Sequence, residues 1–487
     1  MADKAPADLK TTIITNDDLE IAIATDDHTE RPNALSKATP ENLQKLDEIR
    51  KLSWFDRTFR RMDSGSLRGV IIMWIRMTLG IGILTLPYYV KQFGAVTGVA
   101  VIAIAALLNI FTYRFIFEAS FYTDKKNYSD LIEELLGKNT LAVFKWTFLM
   151  DIVSTMMVYC IVSWSLFEYI LYFLQIGGDQ LNTWIVNMDK LEFDEYHPSM
   201  VKIRAGFFAA VFVLTIPLFL KKNLESLQKV TIGYLFALFL LVFIILSEVP
   251  FFKHARRNED IQFHPFKKPE LGWIEAFFGL CMSFYVQPFI FSLRGELLLP
   301  SLKRTKKIAK TSVSIEAVIF IVLGVAGYFA LGDKYTTDML ILRKPYDGKN
   351  EISETIFRVT IAIFFLLNTL GLAMYNPSLR EYLYPYINIK SERVKFAVVS
   401  LVPFFIICFV AFAYPYITNV IGFFSVTVYN FNGYIIPIMM KIKILKLKSE
   451  PLYKRATAYG VLALFILLGI VGFAVSIYKK VYKEEEE

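Results

Sequence analysis

The sequence predicts an all-α polytopic membrane protein of eleven transmembrane helices, arranged as a five-plus-five inverted repeat whose helices 1 and 6 are broken. Three observations lead there. The 487 residues are 55% hydrophobic and 20% charged, with a mean hydropathy of +0.44, too apolar and too weakly charged for a soluble chain of this length. The apolar residues fall in runs of about 20, the length of a helical bilayer crossing. Two of those runs carry Gly and Pro at their centres, residues that cost about 1 and 3 kcal/mol in a helix interior.

The runs lie at 68–92, 95–120, 142–175, 203–220, 228–250, 272–295, 312–332, 353–379, 396–414, 417–440 and 456–478. Unsatisfied backbone cannot face lipid, so each is read as a helix. The third exceeds a perpendicular crossing and should tilt or project. Ahead of them, residues 1–53 are polar and aperiodic and read as a disordered cytoplasmic tail. Residues 54–67, beginning "WFDRTFRRM", mix aromatics with arginines and read as an interfacial juxtamembrane segment. Spans 1–5 over 68–250 form the first repeat and spans 6–10 over 272–440 the second. The eleventh at 456–478 is peripheral, and 479–487 is a short charged tail. Asp3 and Asp8, with no apolar core beside them, argue against a cleaved signal peptide. Cys160, Cys281 and Cys408 all lie inside apolar runs, so no disulfide framework is expected.

The loops 121–145, 221–229, 294–310, 380–395 and 441–455 hold 23 Lys and Arg. That bias places them, and the N-terminus, in the cytoplasm. The segment 251–271 is an exception, with Lys253, Arg256, Arg257, Lys267 and Lys268 on the outer side.

The first run contains "GIGILTLP" at 80–87, and the sixth is interrupted near Gln287–Pro288. An interruption frees backbone N–H and C=O groups at bilayer depth, where they must line a cavity or bind something. Half-helix N-termini suit a carboxylate and freed carbonyls suit a cation. Breaks in spans 1 and 6 occupy corresponding places in two five-helix repeats.

"GIGILTLPYYVKQFG", "PLFLKKNLESLQKV" (217–230), "SFYVQPFIFSLRGEL", "VAGYFALGDKYTTDML" and "NPSLR" (376–380) follow one another along the chain. In that order they resemble the motifs of the amino acid/auxin permease family, over about residues 68–440. The resemblance implies a LeuT-like fold and secondary transport of amino acids driven by protons or sodium. It implies that the N–H groups around Gly80, Ile81, Gly82 and Ile83 hold the substrate carboxylate. Carbonyls near Phe284, Tyr285 and Val286 would accept from its ammonium group. Tyr159 on span 3 joins the substrate side, and Asn368 and Thr369 on span 8 the coupling side. Two departures stand out. Gln287 replaces a histidine common before the sixth-span proline. Arg76 stands where sodium-binding members often have asparagine.

Arg76 and Asp151 are charges well inside spans 1 and 3, where each costs several kcal/mol and marks a pair or a pathway. Asp151 is expected beside Arg76. Balanced between burial and that cation, it is the carboxylate best suited to titrate during transport. Glu118, Glu168, Glu248, Glu296 and Glu316 fall nearer span ends and read as interfacial. No histidine is within a span, so no histidine relay is expected.

The chain has no phosphate-binding GxxxxGK[ST] loop and no HExxH, so ATP-driven transport and membrane enzymology are set aside. No cofactor, metal or nucleic-acid partner is expected. The expected partners are an amino-acid substrate, a proton (or sodium) as coupling ion, and the lipid bilayer, with the chain a monomer. The membrane is the plasma membrane or an acidic vacuole- or lysosome-like organelle. The alternatives are an amino-acid sensor signalling through the N-terminal tail, a sodium-coupled symporter and, less suited to two broken helices, an ion channel.

Overall fold

In the computed structural model the described residues are 66–173, 198–221, 233–234, 236–244, 246–247, 262–297, 300–336 and 351–482. The expected tail at 1–53 and juxtamembrane segment at 54–67, all but its last two residues, lie outside them, as do residues 174–197 and 483–487. So does part of the run expected at 228–250.

The first run is two helices. Helix α1, Leu67–Thr78, starts at Ser66, whose Oγ accepts from the Gly69 N–H at 3.1 Å, satisfying one orphan donor of the first turn. It ends at Thr78, where the next N–H, that of Leu79, bonds to the Ile75 carbonyl at 2.8 Å. A 3-10 turn, Ile81–Thr85, leads into α2, Leu86–Phe93, with Pro87 in its first turn, where a missing N–H costs nothing. The two halves are bent by 59°. Helix α3, Ala95–Thr123, then crosses, and α4, Tyr128–Leu136, precedes α5, Lys138–Phe173. At 36 residues α5 is about 54 Å long, well beyond the hydrocarbon thickness. Helix α6 spans Pro198–Phe219. The described residues of the expected fifth run, between 233 and 247, are helical.

The sixth run also divides. Helix α7, Gly272–Ser283, gives way to non-helical residues 284–286, a 3-10 turn at Gln287–Phe289 and α8, Ile290–Gly295. Then come α9, Leu302–Tyr335, and α10, Glu351–Gly371, continued by a 3-10 turn into α11, Asn376–Leu383. Helix α12 spans Glu392–Ala413. The tenth run holds an interruption that the sequence did not announce. Between α13, Ile417–Phe424, and α14, Ile436–Leu447, the backbone makes π-helical turns at Ser425–Tyr429 and Phe431–Ile435. Such turns are frequent at functional sites. Helix α15, Leu452–Tyr482, is the least buried of the long apolar helices among the described residues. Among the described residues eight helical units are long and apolar enough to cross a membrane, the bent α1–α2 pair makes a ninth, and no strand occurs.

Helix α9 packs against α1, α2 and α3, while α5 packs against α10 and α12. At one end of α9, Glu118 of α3 is shared by Lys306 of α9 at 2.9 Å and Lys441 of α14 at 2.7 Å. At the other end, residues 262–267 strap the α2–α3 corner. The His264 and Pro265 carbonyls accept from the N–H groups of Ala95 and Val96, and Lys267 N–H donates to the Phe93 carbonyl. These bonds satisfy part of the first turn of α3. Lys267 and His264 meet Asp333 of α9 at 2.8 and 3.3 Å.

The strap requires glycine at 94. Its φ is +84°, and a Cβ there would lie 2.9 Å from the Pro265 carbonyl oxygen. Gly137 has the same backbone hand, φ +88°, in open space. Gly94→Ala is therefore expected to cost roughly 1–3 kcal/mol more than Gly137→Ala, which should lose only the left-handed penalty of about 1–2 kcal/mol. Thermal unfolding of the two purified variants in one detergent checks this. Equal losses would show that the strap does not constrain the corner.

Candidate functional site

The two interruptions touch. A Cβ on Gly82, in the 3-10 turn after α1, would stand 3.1 Å from the Ser283 hydroxyl at the end of α7. Gly82 therefore holds two broken helices together rather than opening a space between them. Gly80 differs: its Cβ position has nothing nearer than the Thr78 carbonyl oxygen at 4.0 Å. Of the glycines expected to border a ligand, Gly80 faces the room. The backbone N–H of Gly80 bonds to the Thr78 carbonyl and that of Ile83 to the Gly80 carbonyl. Two of the four N–H groups expected to hold a carboxylate, those of Gly80 and Ile83, are thus engaged by the chain itself.

At the second interruption the freed backbone groups are taken up by side chains. The Tyr113 hydroxyl of α3 donates to the Phe284 carbonyl and accepts from the Val286 N–H at 3.0 Å. Gln287 Oε1 shares that N–H at 3.0 Å. Gln287 Nε2 donates to Asn109 Oδ1 at 2.9 Å, to Thr112 Oγ1 at 3.1 Å and to the Gly433 carbonyl at 3.4 Å. Asn109 in turn donates to the Tyr434 hydroxyl at 2.7 Å. The Val286 carbonyl accepts from Phe289 N–H at 2.9 Å. Two of the three carbonyls expected to receive an ammonium group are thus engaged by the protein. Gln287, where a titratable histidine was looked for, is a buried structural hub.

Tyr285 presents its side chain instead. Its hydroxyl donates to Asp151 Oδ2 of α5 at 3.0 Å, and the Tyr429 hydroxyl stands near the same carboxyl. Tyr429 lies in the first π-helical turn, where its hydroxyl also meets Thr155 at 3.1 Å and Ser154 at 3.3 Å. The Tyr285 and Tyr429 rings cross edge to face at 4.8 Å. Asp151 is 5% exposed and tied at once to the broken sixth span and the π-helical tenth. Its partners are two phenols, and no ion pair to Arg76 is among its contacts. The expected Arg76–Asp151 pair does not form. Arg76 sits in the last turn of α1, partly buried, where a cation complements the negative end of a helix.

Tyr159, Asn368 and Thr369 come together elsewhere, on the α5–α10 interface. Asn368 Nδ2 donates to the Tyr159 carbonyl at 3.0 Å and to Ser163 Oγ at 2.8 Å, and Ser163 Oγ lies 3.2 Å from Thr369 Oγ1. The Tyr159 ring packs on Tyr234 and Tyr375, and Tyr375 donates to its hydroxyl at 3.3 Å. Tyr375 also lies within electrostatic reach of Asp151, so a run of phenols links this cluster to the Asp151 site.

Glu168, 4% exposed, and Glu316, 0% exposed, are buried rather than interfacial. Glu316 is the one at an interruption. Its Oε1 accepts from the Thr78 hydroxyl at 2.5 Å, directly beside the first interruption. The apolar run seemed to start at 312, but α9 starts at Leu302, which sets Glu316 about 21 Å along the helix. The charged opening "LKRTKKIAKTS" hid those turns.

A profile of the family described as "Transmembrane amino acid transporter protein" matches residues 63–481. The chain is 21% identical to the "Putative amino acid transporter AAT1" of Plasmodium falciparum over 324 residues, 66% of this chain and 49% of that protein. It spans about half the length of the two Plasmodium proteins it matches. With "Vacuolar amino acid transporter 6" of Saccharomyces cerevisiae it shares 22% identity over 311 residues, 62% of this chain and 63% of that one. Among solved structures, the crystal structure of MhsT in complex with L-phenylalanine matches with a TM-score of 0.43 and 13% identity, over 85% of this chain and 100% of that chain. With the profile running from the start of α1 to the end of α15, the chain belongs to the transmembrane amino acid transporter family, the amino acid/auxin permease family that its motifs resemble.

Proposed function

We propose that the chain is a secondary active transporter that moves small or medium neutral amino acids across a membrane by alternating access, coupled to protons. The observation that carries this reading is the meeting of two interrupted helices at Gly82 and Ser283, with open room at Gly80 and a buried carboxyl, Asp151, bonded to Tyr285 of the second interruption. The relatives named as amino acid transporters support the substrate class. On this reading the chain has eleven spans in a five-plus-five inverted repeat, with its N-terminus in the cytoplasm. It works as a monomer in the plasma membrane or in a vacuole-like organelle, with which the vacuolar relative is compatible.

The substrate carboxylate takes the N–H groups of Ile81 and Gly82, between the engaged N–H groups of Gly80 and Ile83, and the amino group is oriented by the Tyr285 side of the site. Arg76, four residues before Gly80, is a permanent cation. At 4 Å and an effective dielectric near 20, two unit charges interact by about 4 kcal/mol. A sodium ion or a cationic substrate side chain beside Arg76 would be penalised on that scale. The proton is carried by Asp151, whose two phenol donors stabilise the ionised form without a fixed counter-charge. Tyr285 and Tyr429 reorient as the sixth and tenth spans rearrange, changing the cost of that charge.

Two variants test this in proteoliposomes. Gly80→Val fills the open side of the first interruption without touching Ser283. Neutral amino-acid uptake is expected to fall by about two orders of magnitude in a protein that still reaches the membrane. Undiminished uptake would move the site elsewhere. Asp151→Asn mimics the protonated carboxyl. Its residual flux should lose pH dependence, and its accumulation ratio under an imposed proton gradient should fall to about one. A variant that still concentrates substrate would remove Asp151 from coupling.

A further inference from the structure

Glu316 has no part in the site as described, yet its surroundings are those of a working group. It is fully buried. Oε1 is held by Thr78, while Oε2 has no hydrogen-bond partner. One turn earlier on the same face of α9, Ser312 Oγ is buried and equally unpartnered. One turn before Thr78, on the facing side of α1, Trp74 buries its Nε1 without an acceptor. Trp74 packs edge to face on Tyr113 at 4.7 Å, and Tyr113 is itself within electrostatic reach of Glu316. Buried polar atoms are ordinarily paired. Here one oxygen of the carboxyl is unpaired, and so are two polar atoms one turn away on α9 and α1, Ser312 Oγ and Trp74 Nε1.

The charged groups on the elements packed against α9 do not neutralise it. Arg76 stands two residues, about 200°, around α1 from Thr78, on the opposite face. Arg68 is about 15 Å back along the same helix. On α3, Arg114 is exposed and Glu118 is occupied by Lys306 and Lys441. On α2, Lys91 donates to the Thr336 carbonyl at 3.1 Å, at the outer end of α9, while Tyr89 packs on Gly279. The Tyr113 hydroxyl is spent on Phe284 and Val286. An ionised Glu316 would therefore face one hydroxyl and no cation, at a cost of several kcal/mol. A neutral acid gains a donor on Oε2, with Ser312 Oγ one turn away as an acceptor.

We infer that Glu316, positioned by Thr78, is a second proton-binding site of the transporter, distinct from Asp151, whose occupancy is linked to how α1 seats against α9 at the first interruption. The link is reciprocal. Displacing Thr78 removes the one hydroxyl that supports the anion, and protonation in turn changes the hold on α1. Only the transport arm of this inference rests on the proposed function.

The test begins without substrate. Infrared difference spectra of the purified protein in lipid, titrated with pH and compared in H₂O and D₂O, report the carbonyl stretch of protonated carboxyls. One component should vanish in Glu316→Gln and persist in Asp151→Asn. In Thr78→Val, which keeps the carboxyl but removes its donor, that component should shift in frequency. In proteoliposomes, Glu316→Gln should retain amino-acid exchange but lose one limb of the pH profile of uptake, and Glu316→Asp should restore it. Spectra of Glu316→Gln identical to those of the wild type would overturn the inference, as would an unchanged pH profile. If the component vanishes as expected but the wild type moves no amino acid, the proton site stands and the transporter reading fails. Should Glu316→Gln not fold, the Thr78→Val shift decides alone: no shift overturns the proposal.

Discussion

The hydroxyl of Tyr113 is the contact on which the rest of the site depends. A helix interrupted within apolar surroundings must find partners for the backbone groups it frees, each worth several kcal/mol if left unpaired. Tyr113 serves both sides of the gap at once, donating to the Phe284 carbonyl and accepting from the Val286 N–H. With Gln287, Asn109 and Tyr434 it makes a buried network across three helical runs. Fixing residues 284–286 in this way leaves the Tyr285 side chain free to reach Asp151. The carboxyl then reads the sixth span through Tyr285 and the tenth through Tyr429.

Much of this organisation was legible in the sequence, and the reasons are local. Gly80, Gly82 and Pro87 inside one apolar run, and Pro288 inside another, conflict with an uninterrupted helix wherever it folds. The length of α5 follows from its composition, and the isolation of Asp151 in an apolar stretch marked it as costly. The ordered motifs carried the family. What was not legible depends on partners far apart in the chain. Nothing near Phe284 says that a tyrosine 171 residues earlier will occupy its carbonyl. The π-helical turns at Ser425–Tyr429 and Phe431–Ile435 lie in a stretch without proline, and π turns have no strong composition of their own.

The intramembrane charges show where a simple pairing rule fails. Arg76 and Asp151 are of opposite sign and similar depth, and Coulomb attraction alone would join them. The structure instead gives Asp151 two phenols and leaves Arg76 at the end of α1. A buried ion pair is hard to separate once formed and suits a static joint. A carboxyl supported by hydroxyls can lose its support through a small rotation of either ring, which suits a group that must change its charge. Glu316 repeats the scheme with a single hydroxyl, from Thr78. Gly82 leaves no space for a side chain against Ser283, where the two broken helices meet, whereas Gly80 does.

A proton-coupled amino-acid site between the interrupted helices is what the proposed function stands on. Uptake of a panel of radiolabelled amino acids into proteoliposomes, with pH and sodium gradients imposed separately, tests it most directly. Neutral amino acids should accumulate under an inward proton gradient without sodium, and a protonophore should abolish the accumulation. Lysine or arginine as the best substrate would contradict the assigned selectivity, and accumulation driven by sodium at constant pH would contradict the coupling.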